Sequence, residues 1–261
     1  MPMREVRMAT GTVTFFRPDS EVIEMIYCSN SRISYPPHTH VSSYTLGLVT
    51  EGSVAFEQDG KREICQSGDF FVVPPDTAHE FCAVDEEYSI LSVSFQKDFV
   101  RKYDLDTVLR IVSNLADQLI AKNFLSPDQT AKLGDAVLVL YRNLEILAFP
   151  ERKEVESARN LLAGAPENPF PVEELSRQVF VSRFYLIREF KKRFGLTPHQ
   201  YQMQTRIRKA QHLLLEGRSI TEVALITGFC DQSHFDRWFR KMLGITPSEY
   251  MEAQIRLPER D

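Results

Sequence analysis

A phrase of twelve residues occurs twice in this chain, first as Phe190-Lys-Lys-Arg-Phe-Gly195-Leu-Thr-Pro198-His-Gln-Tyr201 and again, 49 residues later, as Phe239-Arg-Lys-Met-Leu-Gly244-Ile-Thr-Pro247-Ser-Glu-Tyr250. Basic residues suit the negative pole at the end of a helix, and the glycine supplies the left-handed residue that often follows. The threonine then stands at an N-cap and the proline at the first helical position, where its missing N–H costs nothing. The repeat therefore predicts two copies of one small helical unit.

Two short helices are predicted within each unit, because apolar residues recur at helical spacing. The stripes are Val172, Leu175 and Val179, then Leu186, Phe190 and Phe194 in the first unit, and Ile220, Val223 and Ala224, then Phe235, Phe239 and Leu243 in the second. Residues 180–182 and 228–231, between the stripes, are too few for anything but a turn. Each unit is thus predicted to be a helix-turn-helix.

The second helix of each unit carries polar and basic side chains away from its apolar stripe. Arginine can read guanine edges and glutamine adenine, while serine, histidine and lysine typically contact phosphates. A solvated helix face is the alternative, but the same pattern in both units favours duplex DNA. The candidate DNA-binding residues are Arg183, Phe184, Ile187, Arg188, Lys191 and Lys192, and Gln232, Ser233, His234, Arg237, Arg240 and Lys241. The predicted base readers are Phe184, Ile187 and Arg188, and Gln232, Ser233 and Arg237.

Residues from about 155 to 255 resemble the DNA-binding domain of AraC/XylS-type transcription regulators. The second unit carries the densest match, Ile220-Thr-Glu-Val-Ala-Leu-Ile-Thr-Gly228-Phe229-Cys-Asp-Gln-Ser233-His-Phe235-Asp-Arg-Trp-Phe239-Arg-Lys-Met-Leu-Gly244-Ile-Thr-Pro247. Three residues depart from the family pattern. Phe180 replaces a small turn residue, Ser176 replaces the usual alanine, and Cys230 replaces a polar residue.

One helix is predicted to join the two units, from Pro198 to about Glu216, with Gly217 as its stop. Nineteen residues at about 1.5 Å each span roughly 28 Å, near the ~34 Å between successive major-groove faces. Tyr201, Ile207, Ala210, Leu213 and Leu214 are the expected anchors of this helix. A single chain is therefore predicted to read two adjacent grooves on one side of the duplex.

The length of 261 residues suggests two domains, and the net charge of −5 is unevenly divided. Residues 1–150 hold 13 Lys and Arg against 21 Asp and Glu, whereas residues 155–255 hold 14 against 11. This asymmetry is typical of an acidic module attached to a DNA-facing one. The four cysteines are scattered without a CxxC pair, and no apolar run reaches membrane-spanning length. We expect a cytoplasmic protein without a membrane partner.

The first hundred residues have the pattern of an antiparallel β-barrel, closed or nearly closed. Short segments rich in β-branched and aromatic residues alternate with turns, and Asp59-Gly60 marks a hairpin. The predicted strands are 22–28, 44–50, 53–58, 61–65, 69–73, 80–84 and 88–95.

Two phrases resemble the signature stretches of cupins: Pro36-Pro37-His38-Thr-His40-Val-Ser-Ser-Tyr44-Thr-Leu-Gly47 and Gly68-Asp-Phe-Phe-Val-Val-Pro74-Pro-Asp-Thr-Ala-His79. In metal-dependent cupins, such histidines and a carboxylate hold one ion. Here Tyr44 stands at the carboxylate position, which puts the metal in question. A divalent transition metal on His38, His40 and His79 is therefore one alternative, with hydrogen bonding to an organic ligand or to the protein itself as the others.

The resemblance to sensory members of the family implies a small-molecule effector inside the barrel. The candidate effector-binding residues are His38, His40, Tyr44, Phe56, Phe71, His79 and Phe81. Aromatic residues with a few polar groups are typical of such a site, although aromatics at strand spacing also form ordinary cores. The chemical identity of the effector is left open.

After Phe95 the apolar spacing changes to that of helices. One helix is predicted over 105–119 and another from the Ser126-Pro-Asp-Gln129 start signal to about Ala148. The second has a wide apolar stripe, Leu133, Val137, Leu140, Tyr141, Leu144 and Leu147, broadened by Leu138 and Val139. The width favours dimerisation through 126–148, which the family resemblance also implies, with purely internal packing as the alternative.

The sequence thus predicts a two-domain α+β protein. The domains are a cupin-like effector-binding barrel over 1–100, a helical dimerisation segment over 101–149, a linker over 150–154 and a double helix-turn-helix domain over 155–255. We expect a transcription regulator and not an enzyme. Its partners would be operator or promoter DNA, a small-molecule effector, RNA polymerase and a second copy of the chain. The alternatives are a metal-dependent cupin enzyme, and a metal or pH sensor with the same DNA-binding domain.

Overall fold

The structure is a computed structural model that describes residues 6–8, 11–18, 22–58, 60–84, 87–144 and 153–257, with side chains except at 6–8, 17 and 255–257. Its contacts divide the chain into two compact units. Among the described residues, one unit consists of two β-sheets with three helices, and the other consists of seven helices together with residues 37–39 of the smaller sheet. The predicted fold class, a β-rich domain followed by a helical DNA-binding-type domain, is confirmed.

Strands of the β-rich unit form two sheets. The strands are β1 Val6–Met8, β2 Gly11–Pro18, β3 Ile23–Ser31, β4 Tyr35–Thr39, β5 Ser43–Glu51, β6 Ser53–Gln58, β7 Lys61–Gln66, β8 Phe70–Val73, β9 Ala78–Ala83, β10 Tyr88–Gln96 and β11 Gln254–Leu257. The larger sheet has the order β1-β2-β3-β10-β5-β8, with β11 added beside β2 in parallel. The smaller sheet has the order β4-β9-β6-β7. Consequently β7 and β8 lie at the ends of their sheets.

Four strands of the β-rich unit, β1, β2, β4 and β11, were not predicted. Strand β4 contains Pro36 and Pro37, which disfavour a strand because proline cannot donate to a ladder. It lies at the edge of its sheet, where this loss is tolerated. Strand β2 follows a weak sequence pattern and takes its place by pairing with β3.

Three helices cover the larger sheet: α1 Lys97–Lys102, α2 Leu105–Ala121 and α3 Pro127–Asn143. The predicted start of α3 is confirmed, because Ser126 and Gln129 form a reciprocal capping box. Its stripe enters one core with α2 and β5 through Leu133, Val137 and Leu140. Much of the stripe is therefore used within the unit. The predicted end near Ala148, together with Leu147, lies outside the described residues, and dimerisation through 126–148 stays a prediction.

Seven helices form the second unit: α4 Lys153–Gly164, α5 Val172–Gln178, α6 Arg183–Phe194, α7 Pro198–Leu215, α8 Ile220–Ile226, α9 Gln232–Leu243 and α10 Pro247–Glu252. Helices α5 and α6 form the first helix-turn-helix, and α8 and α9 the second. The predicted linker is corrected at its end, because Lys153 and Glu154 already belong to α4. The negative charge of Glu154 is favourable there, since it lies at the positive pole of the helix. The rest of that linker lies outside the described residues.

The repeated stop-and-start signal takes the predicted form in both units. Gly195 and Gly244 end α6 and α9 with φ of 68° and 76°. Thr197 caps α7, and its side chain accepts a hydrogen bond from the backbone of Gln200. Thr246 makes the corresponding contact with the backbone of Glu249 before α10.

The two turns differ by one residue. Phe180 and Gly228 donate equivalent backbone hydrogen bonds, to Arg177 and Leu225, at the ends of α5 and α8. The N-caps of the next helices are Ser182 and Asp231, so the second turn contains one more residue. Phe180 adopts a left-handed φ of 58°, a conformation that glycine adopts at Gly228 without strain.

Helix α7 joins the two helix-turn-helix motifs as predicted, and its 18 residues span about 27 Å. Of the predicted anchors, Tyr201, Ile207, Ala210 and Leu214 are buried and Leu213 is half-buried. Every residue from 201 to 207 is buried. In the part of the chain that the structure describes, no helix has both the length and the apolar character to cross a membrane.

Candidate nucleic-acid interface and effector site

Helix α6 presents a mixed basic and aromatic face to solvent. Phe184 is 71% exposed, and the side chain of Arg188 is 72% exposed while its Nε donates to Glu189 Oε1 at 3.0 Å. Arg183 Nη1 lies 2.9 Å from Glu173 Oε1, and Ile187 is half-buried. Exposed fork-shaped donors on a helix flanked by aromatic surface can reach base edges in a major groove.

Lys191 and Lys192 are exposed in the last turn of α6. Their ammonium groups form no ion pair within the part of the chain that the structure describes. Such lysines are suited to phosphate contacts, which raise affinity for any sequence.

Helix α9 presents the corresponding face of the second unit. Four of its candidate residues are exposed: Ser233, Arg237, Arg240 and Lys241. Gln232 Oε1 accepts a hydrogen bond of 2.8 Å from Thr221 Oγ1, which leaves its amide nitrogen for another partner. Arg188 and Arg237, on which the DNA hypothesis depends most, are both exposed and not buried.

His234 is half-buried and already has contacts within α9. Its Nε2 accepts from Trp238 Nε1 at 3.0 Å, so Nδ1 carries the proton of the neutral ring and lies 3.2 Å from Cys230 Sγ. Lys241 Nζ lies 4.7 Å from the centroid of the Trp238 ring. These contacts hold the basic end of α9 in one arrangement.

A buried arginine that the sequence analysis did not identify holds the second unit together. Arg206 of α7 is 7% exposed. Its Nε donates to the carbonyl oxygen of Pro166 at 2.7 Å, and Nη1 donates to that of Gly228 at 2.5 Å. Nη2 donates to the carbonyl oxygens of Glu167 and Asn168. One side chain thus connects the 166–168 loop, the connecting helix and the second turn.

Neighbouring residues reinforce the same loop. Gln202 Nε2 donates to the carbonyl oxygens of Pro166 and Asn168, and Lys209 Nζ lies 2.8 Å from Glu167 Oε2. The hydrogen bond from Lys209 is the main reason why the pKa of Glu167 lies below 4.5. The sequence signal was the spacing of Gln202, Arg206 and Lys209, which places all three on one side of α7.

Three histidines predicted from the sequence meet at the smaller sheet. The ring nitrogens of His38, His40 and His79 that could bind an ion lie within 4.8 Å of one another. The rings of His40 and His79 stack at 5.0 Å, and His79 Nδ1 lies 3.3 Å from the carbonyl oxygen of Thr77. In a tetrahedral zinc site, nitrogen ligands lie about 3.3 Å apart, so small side-chain rotations would bring these atoms around one ion.

Aromatic residues continue this face of the smaller sheet. Phe56 and Phe71 stack with centroids 4.1 Å apart, and the ring of Phe56 is 6.0 Å from that of His79. Phe81 pairs with Phe56 across β6 and β9, and its ring centroid lies 4.8 Å from that of Tyr35. The Phe71 ring lies over Gly47, where any Cβ would clash with it.

Tyr44 does not join this group, and its place in the effector site stays a prediction. It alternates with Thr45 and shares the side of β5 that holds Leu46 and Leu48, in the core beneath the helices. Burial raises the pKa of Tyr44, and the nearby charge of Arg101 in α1 opposes the rise.

A cavity of about 400 Å³ lies where β6, β7, β8 and α3 meet. Phe56 and Phe71 line it, together with Gln58, Lys61, Glu63 and Cys65 from β6 and β7, Phe70, Val72 and Pro74 from β8 and the turn after it, and Val139 and Asn143 from α3. His38, His40, Tyr44, His79 and Phe81 are not among its lining residues. Burial raises the pKa of the Cys65 thiol, with Asp69 and Glu63 adding to the rise, so Cys65 lines the cavity as a neutral group.

Each half of the chain matches a known protein family. An AraC-like ligand binding domain matches residues 22–110, and a helix-turn-helix domain matches residues 175–253. The chain belongs to the AraC/XylS-type transcription regulators.

Relatives and solved structures agree with this assignment. The chain is 34% identical over 103 residues to a probable transcriptional regulator, LumQ of Photobacterium leiognathi, covering 38% of this chain and 41% of LumQ. It is 34% identical over 147 residues to the regulator ArgR of Pseudomonas aeruginosa, covering 51% of this chain and 44% of ArgR. The match thus spans less than half the length of either relative. The crystal structure of ToxT from Vibrio cholerae O395 has the same fold, with a TM-score of 0.59, 13% identity and coverage of 90% of this chain and 98% of ToxT.

Proposed function

We propose that the protein is a sequence-specific DNA-binding regulator of transcription whose binding is controlled by a small molecule in its N-terminal domain. The observation that carries the proposal is the pair of helix-turn-helix motifs with Arg188 and Arg237 exposed on equivalent helices. Because α7 and the Arg206 network fix the two motifs within one helical unit, both helices are held ready for one duplex. Helix α7, which joins them, is about 27 Å long, a length that suits successive turns of a major groove.

Charge supports DNA as the partner of the helical half. Residues 155–255 are net basic although the whole chain is acidic. The exposed basic groups are concentrated on the two reading helices, where Lys191 and Lys192 of α6 have counterparts in Arg240 and Lys241 of α9. An acidic N-terminal half limits non-specific DNA contact to the helical half.

The N-terminal domain supports control by an effector. It matches a ligand-binding family model and contains a cavity of about 400 Å³, within the range of small-molecule sites of about 300–1,000 Å³. One of the similar solved structures is that of unsaturated fatty acid bound wild-type ToxT from Vibrio cholerae strain SCE256. In this chain an effector would act by binding one of two conformations of the regulator more tightly than the other. It can shift the equilibrium between them only by that difference in binding free energy.

Selection from a random duplex library, followed by footprinting, tests the proposal. We expect the enriched duplexes to contain two conserved segments about one helical turn apart, about 10–10.5 base pairs. Both segments should be protected on one side of the duplex. Arg188→Ala should remove protection of one segment and Arg237→Ala that of the other. Enrichment of no sequence, or protection unaffected by both substitutions, would contradict the proposal.

We extend the proposal to a homodimer that pairs through 126–148 and acts with RNA polymerase at a promoter. Family membership supports both partners, whereas much of the apolar stripe of α3 is used inside the unit. Sedimentation at micromolar concentration tests the dimer. A chain that stays monomeric with and without DNA would count against it.

A second candidate function is regulation by a divalent transition metal, favoured by the meeting of His38, His40 and His79. Three imidazoles suit a first-row ion that keeps open positions, and such an ion would supply a fixed positive charge at this end of the sheet. Elemental analysis of purified protein, compared with His79→Gln, tests it. Equal metal content in both proteins would remove this candidate.

A further inference from the structure

We propose that the cavity between β7, β8 and α3 is a binding site for a small zwitterion with an apolar body, such as a free aromatic or branched-chain amino acid. The inference rests on the proposed function in one respect, because the bound molecule is taken to be the effector. It concerns a place in the fold distinct from the histidine cluster, since the three histidines do not line this cavity.

The first observation is an unused polar atom in the cavity wall. Gln58 Oε1 is buried and accepts no hydrogen bond from any described residue. A buried acceptor without a partner costs roughly 1–3 kcal/mol. Since Gln58 lines the cavity, a ligand with an N–H or O–H group in this cavity would satisfy it.

The second observation is a pair of opposite charges on one face of β7. Lys61 and Glu63 both line the cavity and are separated by two residues, so they project to the same side of the strand. Lys61 pairs in register with Gln58, and Glu63 pairs with Phe56. Neither Lys61 nor Glu63 forms an ion pair with any residue that the structure describes. The cavity therefore offers one cationic, one anionic and one neutral acceptor group side by side.

The third observation is the apolar remainder of the wall. Phe56 and Phe71 stack against each other, and Val72 and Val139 complete the lining from β8 and α3. A ligand that satisfies all of these groups has a carboxylate for Lys61 and an ammonium for Glu63. It also has a donor hydrogen for Gln58 and a hydrocarbon or aromatic portion for the phenylalanines. An amino acid with an apolar side chain meets these requirements within one metabolite-sized molecule.

The position of the cavity gives such a ligand a route to regulation. Strands β7 and β8 are end strands of different sheets, so the cavity lies at a seam that no recorded strand pairing closes. Val139 and Asn143 reach it from the last two turns of α3, and Asn143 is the last residue of that helix. A ligand that bridges β7 and α3 thus contacts the segment that leads toward the second half of the chain.

Calorimetric titration of the full chain with L-phenylalanine, L-leucine and L-tryptophan tests the proposal, without DNA present. We expect at least one of these amino acids to bind. An analogue that lacks its ammonium or its carboxylate should bind at least about tenfold more weakly, because it loses one charge-assisted hydrogen bond. For L-phenylalanine, the analogues are 3-phenylpropionate, which lacks the ammonium, and 2-phenylethylamine, which lacks the carboxylate. Absence of binding by all three amino acids, or equal binding of either analogue, would overturn it.

Matched substitutions locate the site. Lys61→Met and Glu63→Gln should each weaken binding by about tenfold or more, whereas Arg62→Met and Glu57→Gln, on residues that do not line the cavity, should not. Val139→Trp should block the cavity from the helix side, and the unfolding temperature of each variant checks that it still folds. Unchanged binding in Lys61→Met, Glu63→Gln and Val139→Trp would place the ligand elsewhere and overturn the assignment.

The duplex selection described above separates this proposal from the proposed function. Ligand binding that depends on Lys61 and Glu63 supports the site even if no duplex is selected. Duplex selection without any amino-acid binding supports the regulator and overturns the site.

Discussion

Arg206 Nη1 donates a hydrogen bond of 2.5 Å to the carbonyl oxygen of Gly228, which joins the middle of the connecting helix to the first residue of the second turn. The same guanidinium donates to three further carbonyl oxygens in the 166–168 loop. A single buried side chain thus determines how the second helix-turn-helix is attached to the connecting helix.

Replacing Arg206 by methionine should lower the free energy of unfolding by about 2–4 kcal/mol, because buried carbonyl oxygens would lose their donors while the volume is kept. Chemical denaturation measures this loss. Arg240→Met is the matched control on an exposed arginine, and its effect should stay within about 0.5 kcal/mol. Similar losses in both variants would show that the hydrogen bonds of Arg206 contribute little.

Gly228→Ala should destabilise the protein more than Gly217→Ala. Both glycines have positive φ, 81° and 87°, so both variants should lose roughly 1–2 kcal/mol from the left-handed backbone. At Gly228 the new Cβ would also clash with the carbonyl oxygen of Glu167, whereas nothing lies within 4 Å at Gly217. A comparison of the two denaturation midpoints measures the steric part. Equal midpoints would contradict the close approach.

Phe180→Gly should stabilise the protein by about 0.5–1 kcal/mol, because a left-handed phenylalanine costs more than the extra unfolded-state freedom of glycine. The ring is 93% exposed, so little packing is lost with it. Phe180→Ala is the control that removes the ring and keeps the Cβ, and it should not stabilise. A gain of the same size in both variants would assign the effect to the exposed ring and not to the backbone.

The ion pair between Glu167 and Lys209 should make stability depend on pH in a defined window. The hydrogen bond from Lys209 depresses the pKa of Glu167 in the folded state, so its contribution is present above the unfolded pKa of about 4.5. It is lost as pH falls through the lower folded pKa. The stability difference between the native chain and Glu167→Gln should therefore shrink between pH 5 and pH 3, roughly. A difference that stays constant over that interval would contradict the assignment.

Arg237→Ala and Lys192→Ala should weaken DNA binding in different ways. Loss of the arginine should cost about 1–3 kcal/mol on the preferred sequence and relax the preference at one position. Loss of the lysine should weaken binding to all sequences alike and reduce the salt slope by about one. Titrations on selected and random duplexes at several salt concentrations distinguish the two. If each variant lost the same affinity on the selected duplex as on the random one, the assignment of these two roles would be contradicted.

The helical half was predictable because its signals are local. The glycine, threonine and proline of the repeated phrase set backbone geometry within a few residues, and the structure places Gly195, Thr197 and Pro198 in the predicted roles. Helix α4 was not predicted, and neither was the role of Arg206. Burial of an arginine depends on carbonyl groups some 40 residues away, and nothing in the local pattern specifies them.

Seven strands of the β-rich half were predictable, from Ile23 to Gln96, but its site was less so. Alternation determines which residues share a face, and one register choice decides whether Tyr44 faces the histidines or the helices. The structure shows that Tyr44 shares the core with Leu46 and Leu48. The cavity beside Gln58 depends on how β7, β8 and α3 meet, which no single strand pattern contains.

The rigid attachment of both reading helices through α7 also constrains the DNA that the chain can recognise. Adding one base pair between two contacted segments turns one of them by about 34–36° and moves it by about 3.4 Å. A protein in which the Arg206 side chain donates hydrogen bonds to the carbonyl oxygens of both Gly228 and the 166–168 loop has little freedom to follow that rotation. Operators for this chain should therefore vary in base sequence far more readily than in the number of base pairs between their two halves.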